Sequence, residues 1–286
     1  MRWEFQKKYY LNAMEKIKIL KDIKHDEIVK FGGKATSLGE LSRIKDVNVP
    51  EGFAISTDIS EVDVKNYESD ILNDFDKLNS QYVAVRSSAT KEDALDTSFA
   101  GQFDTFLNVT HENLLEKISE CYKSLQSDRI FSYAKSKNID VATIKVAVVV
   151  QKMIQSEISG IAFSVNPVNK EENEIMVEAG YGLGEYVVAG IITPDKYIFD
   201  KKKKLLNSSK INYQTYKLIL GKNDNEKTEV PLVHRNAQKL PTKYFQYLLK
   251  NILDIEKHYG KPMDIEWAVA NENVYITQAR PITTLN

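Results

Sequence analysis

Along the chain, apolar and polar positions switch between short β-like runs and stretches with helical spacing. Ile17–Ile23 (IKILKDI) predicts a strand after a polar, aromatic-rich leader. Gly32-Gly33 breaks the chain, and Leu38, Leu41 and Ile44 then predict a helix over Ala35–Ile44. Pro50-Glu51-Gly52 marks a turn before a short strand at Phe53–Ser56. Residues 61–80 are helix-like, Tyr82–Arg86 (YVAVR) reads as a strand, Ser87–Thr105 as a loop, and residues 112–136 as helical. Lys145–Met153 (KVAVVVQKM) has the pattern of a strand buried on both faces. Strands follow at Ile161–Ser164 and Glu174–Glu178, then a tight turn at Gly180–Gly184 leading into Glu185–Ala189. Tyr197–Asp200 and Leu205-Leu206 form a hairpin with Lys201–Lys204 at its tip, and residues 242–258 form a helix. Ile265–Ala270 and Val274–Ala279 flank a turn at Asn271-Glu272-Asn273. The sum predicts an α+β protein of two lobes, 1–145 and 146–286.

Composition narrows the function classes. Of 286 residues, 42% are hydrophobic and 28% charged, the balance of a globular protein with a sizeable core. The net charge of −1 provides no basic field for nucleic acid or an anionic membrane. The longest apolar run, near Val146–Val150, falls far short of the roughly 20 residues that span a bilayer, and the first residues lack a signal-peptide core. A single cysteine, Cys121, excludes an internal disulfide framework and a multi-cysteine zinc site, and reads as a plain core or near-surface thiol. A cytoplasmic location is the expectation. Glycine is scarce, 12 residues or about 4% against a usual value near 7%, yet it clusters at 32–39 and 180–190. Such clustering predicts close backbone approach there.

Four constellations carry candidate chemistry. Phe31-Gly-Gly-Lys34 before a helix offers backbone N–H groups, a positive dipole end and a lysine, which is either a phosphate grip or a plain helix-entry turn with a surface lysine. It lacks the Walker A pattern, because Ile28 and Ala35 stand where glycine and Ser/Thr are needed. Arg86, at the end of a strand and followed by Ser87-Ser88, suits a planar fork on phosphate; an ordinary pairing with a nearby carboxylate is the alternative. Ser98-Phe99-Ala100-Gly101-Gln102 is either a loop that closes over phosphates or a plain surface loop. In the C-terminal hairpin, a three-residue turn at 271–273 pairs Ala270 with Val274, Trp267 with Thr277, Glu266 with Gln278 and Asp264 with Arg280. A carboxylate facing an amide oxygen is a hard-oxygen pair suited to Mg²⁺, and Arg280 shares its face; a surface ion pair is the alternative.

Taken together, FGGKATSLGEL, VPEGFAIST, VAVRSSATKED, SFAGQFDTFLNV, VVVQKMIQSEISGIAFSVNP, VEAGYGLGEYVVAGIITPDKY and DIEWAVANENVYITQARPI resemble the ATP-binding domain of the pyruvate phosphate dikinase, phosphoenolpyruvate synthase and rifampin phosphotransferase family. The resemblance runs from about residue 25 to 284 and implies an ATP-grasp-like fold with ATP between two lobes. It implies that Lys34 and Arg86 hold the phosphates, that Ser98–Gln102 cover them, and that Gln151 and Met153 border adenine. Glu266 and Gln278 match the Mg²⁺ ligands, Arg280 a catalytic phosphate-binding arginine, and Glu178 a position near the nucleotide. In this family a histidine on a separate swivelling domain attacks the β-phosphate of ATP, giving AMP.

None of His25, His111, His234 and His258 sits in the family's small-residue histidine motif. The acceptor histidine is therefore expected on a separate domain or partner protein, and the chain is read as the ATP-binding subunit or domain of a dikinase-like phosphotransferase. A stand-alone ATP-grasp ligase that forms an acyl phosphate and ADP, an ATP-sensing module and a non-enzymatic interaction protein are the alternatives.

Overall fold

The computed structural model describes residues 16–90, 93–94, 97–98, 104–136, 140, 143–221, 225–283 and 285. The chain divides into two compact units, residues 1–40 with 51–153, and residues 41–50 with 154–286. Both are α+β, as the alternating patterns predict.

The first unit contains β1 (Ile17–Ile19), α1 (Ile28–Leu41), β2 (Gly52–Ile55), α2 (Glu68–Lys77), β3 (Val83–Ala89) and a two-residue ladder of β4 (Asp93–Ala94) with β5 (Thr97–Ser98). It continues with β6 (Thr105–Val109), α3 (Leu114–Lys123), α4 (Asp128–Ser136) and β7 (Val146–Lys152). Its main sheet has the order β1-β2-β7-β3-β6, with every neighbouring pair antiparallel. One face packs Phe53, Ile55, Val83, Val85, Val148 and Val150 against α2 and α3, through Ile71, Phe75, Leu114 and Ile118. Cys121 lies in this core, and burial pushes its thiol up to about 12.

The division differs from the expected join at 145/146. Strand β7 belongs to the first unit, because its apolar run is flanked by β2 on one side and β3 on the other. Residues Ser87–Ala89, expected in a loop, extend β3 instead. Their pairing with β7 buries them, and Ser88 Oγ donates to Phe31 O at 2.9 Å.

The second unit contains β8 (Ile158–Phe163), β9 (Glu174–Tyr181), α5 (Glu185–Val188), β10 (Asp195–Asp200), β11 (Leu205–Lys210), β12 (Tyr216–Leu220) and β13 (Asn225–Glu229). It ends with α6 (Leu232–Arg235), α7 (Phe245–Tyr259), β14 (Met263–Ala270) and β15 (Asn273–Pro281). The main sheet has the order β11-β10-β9-β8-β14-β15 and is also antiparallel throughout. Helix α7 covers one face; Phe245 meets Tyr197 and Phe199 edge-on, with ring centroids 5.6 and 5.0 Å apart. Gly260 stops the helix in the left-handed conformation, the usual glycine C-terminal cap.

Gly32 and Gly182, one from each glycine cluster, bring two segments of this chain's backbone together. Gly32 sits at φ +74 inside α1, and a Cβ there would lie 2.1 Å from Ser88 O. Gly182 sits at φ +92, where a Cβ would lie 2.4 Å from Leu218 O on β12. No helix among the described residues is long and apolar enough to cross a membrane.

Candidate functional site

In the first unit three predicted residues converge on one sheet face. Arg86, on β3, points away from the core that Val83 and Val85 enter, because strand side chains alternate. Gln151, on β7, stands opposite Ala84 on the same face, and its Oε1 accepts a hydrogen bond from Arg86 Nη1 at 3.2 Å. Lys34 is 8% exposed, and its Nζ donates to Ser87 O at 2.8 Å.

The local geometry around Lys34 differs from the expected helix entry. Gly32 is a kink within a helix that begins at Ile28, rather than the residue before one. After the kink the turn restarts, with Thr36 Oγ1 donating to Gly32 O and Gly33 O, each at 3.0 Å. The Ala35 N–H, one of the groups expected to meet phosphate, donates to Ser88 Oγ at 3.2 Å. The kink lets Ser88 knit α1 to β3, and it places Lys34 beside Arg86's strand.

Met153 follows β7, with its N–H donating to Tyr82 O at 3.1 Å. Ser98 pairs through its backbone with Asp93. Phe99, Ala100, Gly101 and Gln102 lie outside the described residues.

In the second unit the expected pairing of Glu266 with Gln278 and of Asp264 with Arg280 is present, reached by a different route. The turn has two residues, Asn271 and Glu272, both at positive φ, so Ala270 pairs with Asn273 and Trp267 with Ile276. A β-bulge between Glu266 and Trp267 absorbs Thr277 and restores the Glu266–Gln278 register.

A single cross-strand row runs Lys196, Glu178, Ile161, Glu266, Gln278 over five strands, so these side chains share a face. Asp264 and Arg280 stand one pleat further on the same face. The opposite face carries the α7 core. Glu178 Oε1 lies 3.4 Å from Lys196 Nζ, a partner that sequence reading left out because the strand was begun at Tyr197.

Asp264 anchors Arg280. Its Oδ2 accepts from Nε at 2.9 Å and forms an ion pair with Nη2 at 2.8 Å. The other oxygen, Oδ1, is buried with no hydrogen-bond partner among the described residues. Burial pushes the Asp264 carboxyl above its ordinary value; Arg280 opposes this and Glu266 adds to it.

These oxygens fit a hard divalent cation. Glu266 and Gln278 provide a carboxylate and an amide oxygen from directly opposed positions, with the orphan Asp264 Oδ1 on the next row. Among the described residues, no group of three or more His, Cys, Asp or Glu side chains is gathered to hold a metal ion. A cation on this pair would therefore take its remaining ligands from water or from a bound substrate such as phosphate.

The sequence profile of the pyruvate phosphate dikinase AMP/ATP-binding domain matches residues 61–286. The chain belongs to this family. The dikinase-type domain is 36% identical to a probable phosphoenolpyruvate synthase of Archaeoglobus fulgidus, over 93% of this chain and 41% of that protein. It is 32% identical to the rifampicin phosphotransferase of Bacillus subtilis, over 93% of this chain and 36% of that protein. The chain thus spans less than half the length of these relatives. Among solved structures, an L-amino acid ligase from Bacillus licheniformis aligns over 89% of this chain and 43% of its own, at 11% identity and a TM-score of 0.43.

Proposed function

We propose that this dikinase-type domain binds Mg²⁺-ATP and passes a phosphorylated group from it to a histidine on a separate swivelling domain or partner protein. A histidine ring nitrogen attacks the β-phosphorus, an N–P bond forms, the bond from that phosphorus to the α-phosphate oxygen breaks, and AMP leaves with the bonding pair. The observation that carries this reading is the Glu266–Gln278 pair with Arg280 held beside it on one sheet face.

Glu266 and Gln278 hold the Mg²⁺ ion, which when bound neutralises phosphate charge. Arg280 places a fixed positive charge where charge develops on the transferred group. Lys34 and Arg86 add cationic donors for the phosphate chain, Ser98–Gln102 cover it, Met153 borders adenine, and Glu178 lies near the nucleotide. Positioning and charge neutralisation then account for most of the acceleration, as is usual in phosphoryl transfer. The ATP-grasp-like arrangement and a cytoplasmic location belong to the same proposal.

Incubation with Mg²⁺-ATP and a histidine-bearing candidate acceptor tests it. AMP and an acid-labile, base-stable histidine adduct are expected: pyrophosphohistidine from this step, or phosphohistidine once the γ-phosphate is released as inorganic phosphate. ADP with an acyl phosphate would make the chain a ligase, and nucleotide binding without turnover would make it a sensor.

A further inference from the structure

Gln151 and Arg86 are diagonal neighbours across the β7–β3 ladder, since Gln151 faces Ala84 and Arg86 lies two residues along. Gln151 is 3% exposed and Arg86 8%, so their 3.2 Å hydrogen bond is shielded from solvent. A guanidinium is planar, so holding one terminal nitrogen fixes the direction in which the rest of the fork points. Gln151 is a firm anchor, because β7 is the central strand of the sheet and is paired on both sides. The kind of partner also matters. The acceptor that Gln151 offers is an amide oxygen, which orients the fork and brings no negative charge of its own.

We infer that Gln151 is a positioning residue that aims Arg86 at the phosphates of the nucleotide, in place of the adenine-side role its strand suggests. The inference rests on the reading of Arg86 as a phosphate ligand. It requires that changes at Gln151 be felt by phosphate groups and not by the base, and that they vanish once Arg86 is gone.

Competition binding of Mg²⁺-ATP and of adenosine to the full chain tests this in Gln151→Leu, Gln151→Glu, Arg86→Ala and the Arg86→Ala/Gln151→Leu double variant. Each Gln151 variant is expected to weaken Mg²⁺-ATP about tenfold, the usual scale for losing or neutralising a hydrogen bond to a charged group. Adenosine binding stays unchanged, and the double variant is no weaker than Arg86→Ala. An equal loss for adenosine, or a Gln151 effect that persists without Arg86, would overturn the inference. Should Gln151→Leu misfold, the near-isosteric Gln151→Glu decides alone: normal Mg²⁺-ATP affinity in that variant also overturns it. If Arg86→Ala itself binds Mg²⁺-ATP normally, the phosphate-grip reading is what fails.

Discussion

Both contacts that Arg280 makes with Asp264 end on one oxygen, Oδ2, and leave Oδ1 buried without a hydrogen-bond partner among the described residues. Asp264 therefore sets the direction of the arginine without enclosing it. Asp264→Asn keeps the volume and removes the charge that holds Arg280 in place. With a competent histidine acceptor, AMP formation is expected to fall by roughly 10² to 10³, the scale of losing one preorganised charge-stabilising group. Circular dichroism should be unchanged. Normal turnover in this variant would show that Arg280 needs no anchor.

The same carboxylate has a pH signature. Its folded-state pKa lies above the unfolded value because burial outweighs the pull of Arg280. At low pH both states hold the proton. As pH rises, the unfolded chain loses it first, so the folded state is progressively disfavoured until Asp264 ionises there too. Urea unfolding at pH 4 and pH 7 is expected to show wild type losing stability over that interval relative to Asp264→Asn. A constant difference would refute the raised pKa.

Glu266→Gln keeps the shape of the metal pair and lowers its charge. The gain in ATP affinity that Mg²⁺ confers should largely disappear, while ATP binding measured in EDTA stays as in wild type. A calorimetric titration under both conditions reads this directly. Retained Mg²⁺ dependence would place the cation elsewhere.

Gly32→Ala meets two obstacles. The residue sits at φ +74, where an L side chain costs about 1 kcal/mol or more, and its Cβ would lie 2.1 Å from Ser88 O. Separation of α1 from β3 is the expected relief, so the variant should be destabilised and should bind ATP weakly through the displacement of Lys34. A melting temperature within a degree of wild type would exclude this.

Lys239 and Asp195 form a fully buried ion pair, 3.1 Å apart with both side chains at 0% exposure. Asp195 also accepts hydrogen bonds from Tyr197 Oη, the Asn212 N–H and the Lys239 N–H. Lys239 Nζ in turn donates to the carbonyls of Asn212 and Arg235. Lys239→Met leaves Asp195 buried beside uncharged groups only, and a loss of about 3–5 kcal/mol is expected in urea unfolding. A loss below about 1 kcal/mol would show that the Tyr197 hydroxyl and the two backbone donors satisfy Asp195 without the lysine.

Much of the second unit's site was legible because a hairpin is a local object. Glu266 and Gln278 are close in sequence, and pairing across one turn places them together once the register is known. A three-residue turn without a bulge and the two-residue turn with Thr277 bulged that the chain makes give the same Glu266–Gln278 and Asp264–Arg280 pairs, because the two differences cancel. Nothing in the alternation of polar and apolar residues marks that bulge, because Thr277 fits an exposed strand position as well as a bulged one. The hairpin of β12 and β13 is not legible in the sequence, since β13 is polar and the short apolar run of β12 does not alternate.

The first unit shows the complementary case. The apolar run of β7 was legible as a buried strand, but its sheet was not. Pairing with β2 and β3 joins segments far apart in the chain, and an apolar run matches any neighbour that offers an apolar face. The bond from Arg86 to Gln151, 65 residues apart, was invisible for the same reason.

Local sequence pattern was enough for most of the element types, for the family, and for which residues share a strand face, because periodicities of 2 and 3.6 are properties of local backbone geometry. Tertiary packing set Gly32 and Gly182 against the Ser88 and Leu218 carbonyls, left Asp264 holding Arg280 by one oxygen, and brought Gln151 against Arg86. The glycine and Gln151–Arg86 contacts join segments far apart in the chain, so their geometry is set by how whole sheets and helices pack. Asp264 and Arg280 face each other across one hairpin, and there it is the side-chain placement that local pattern does not encode.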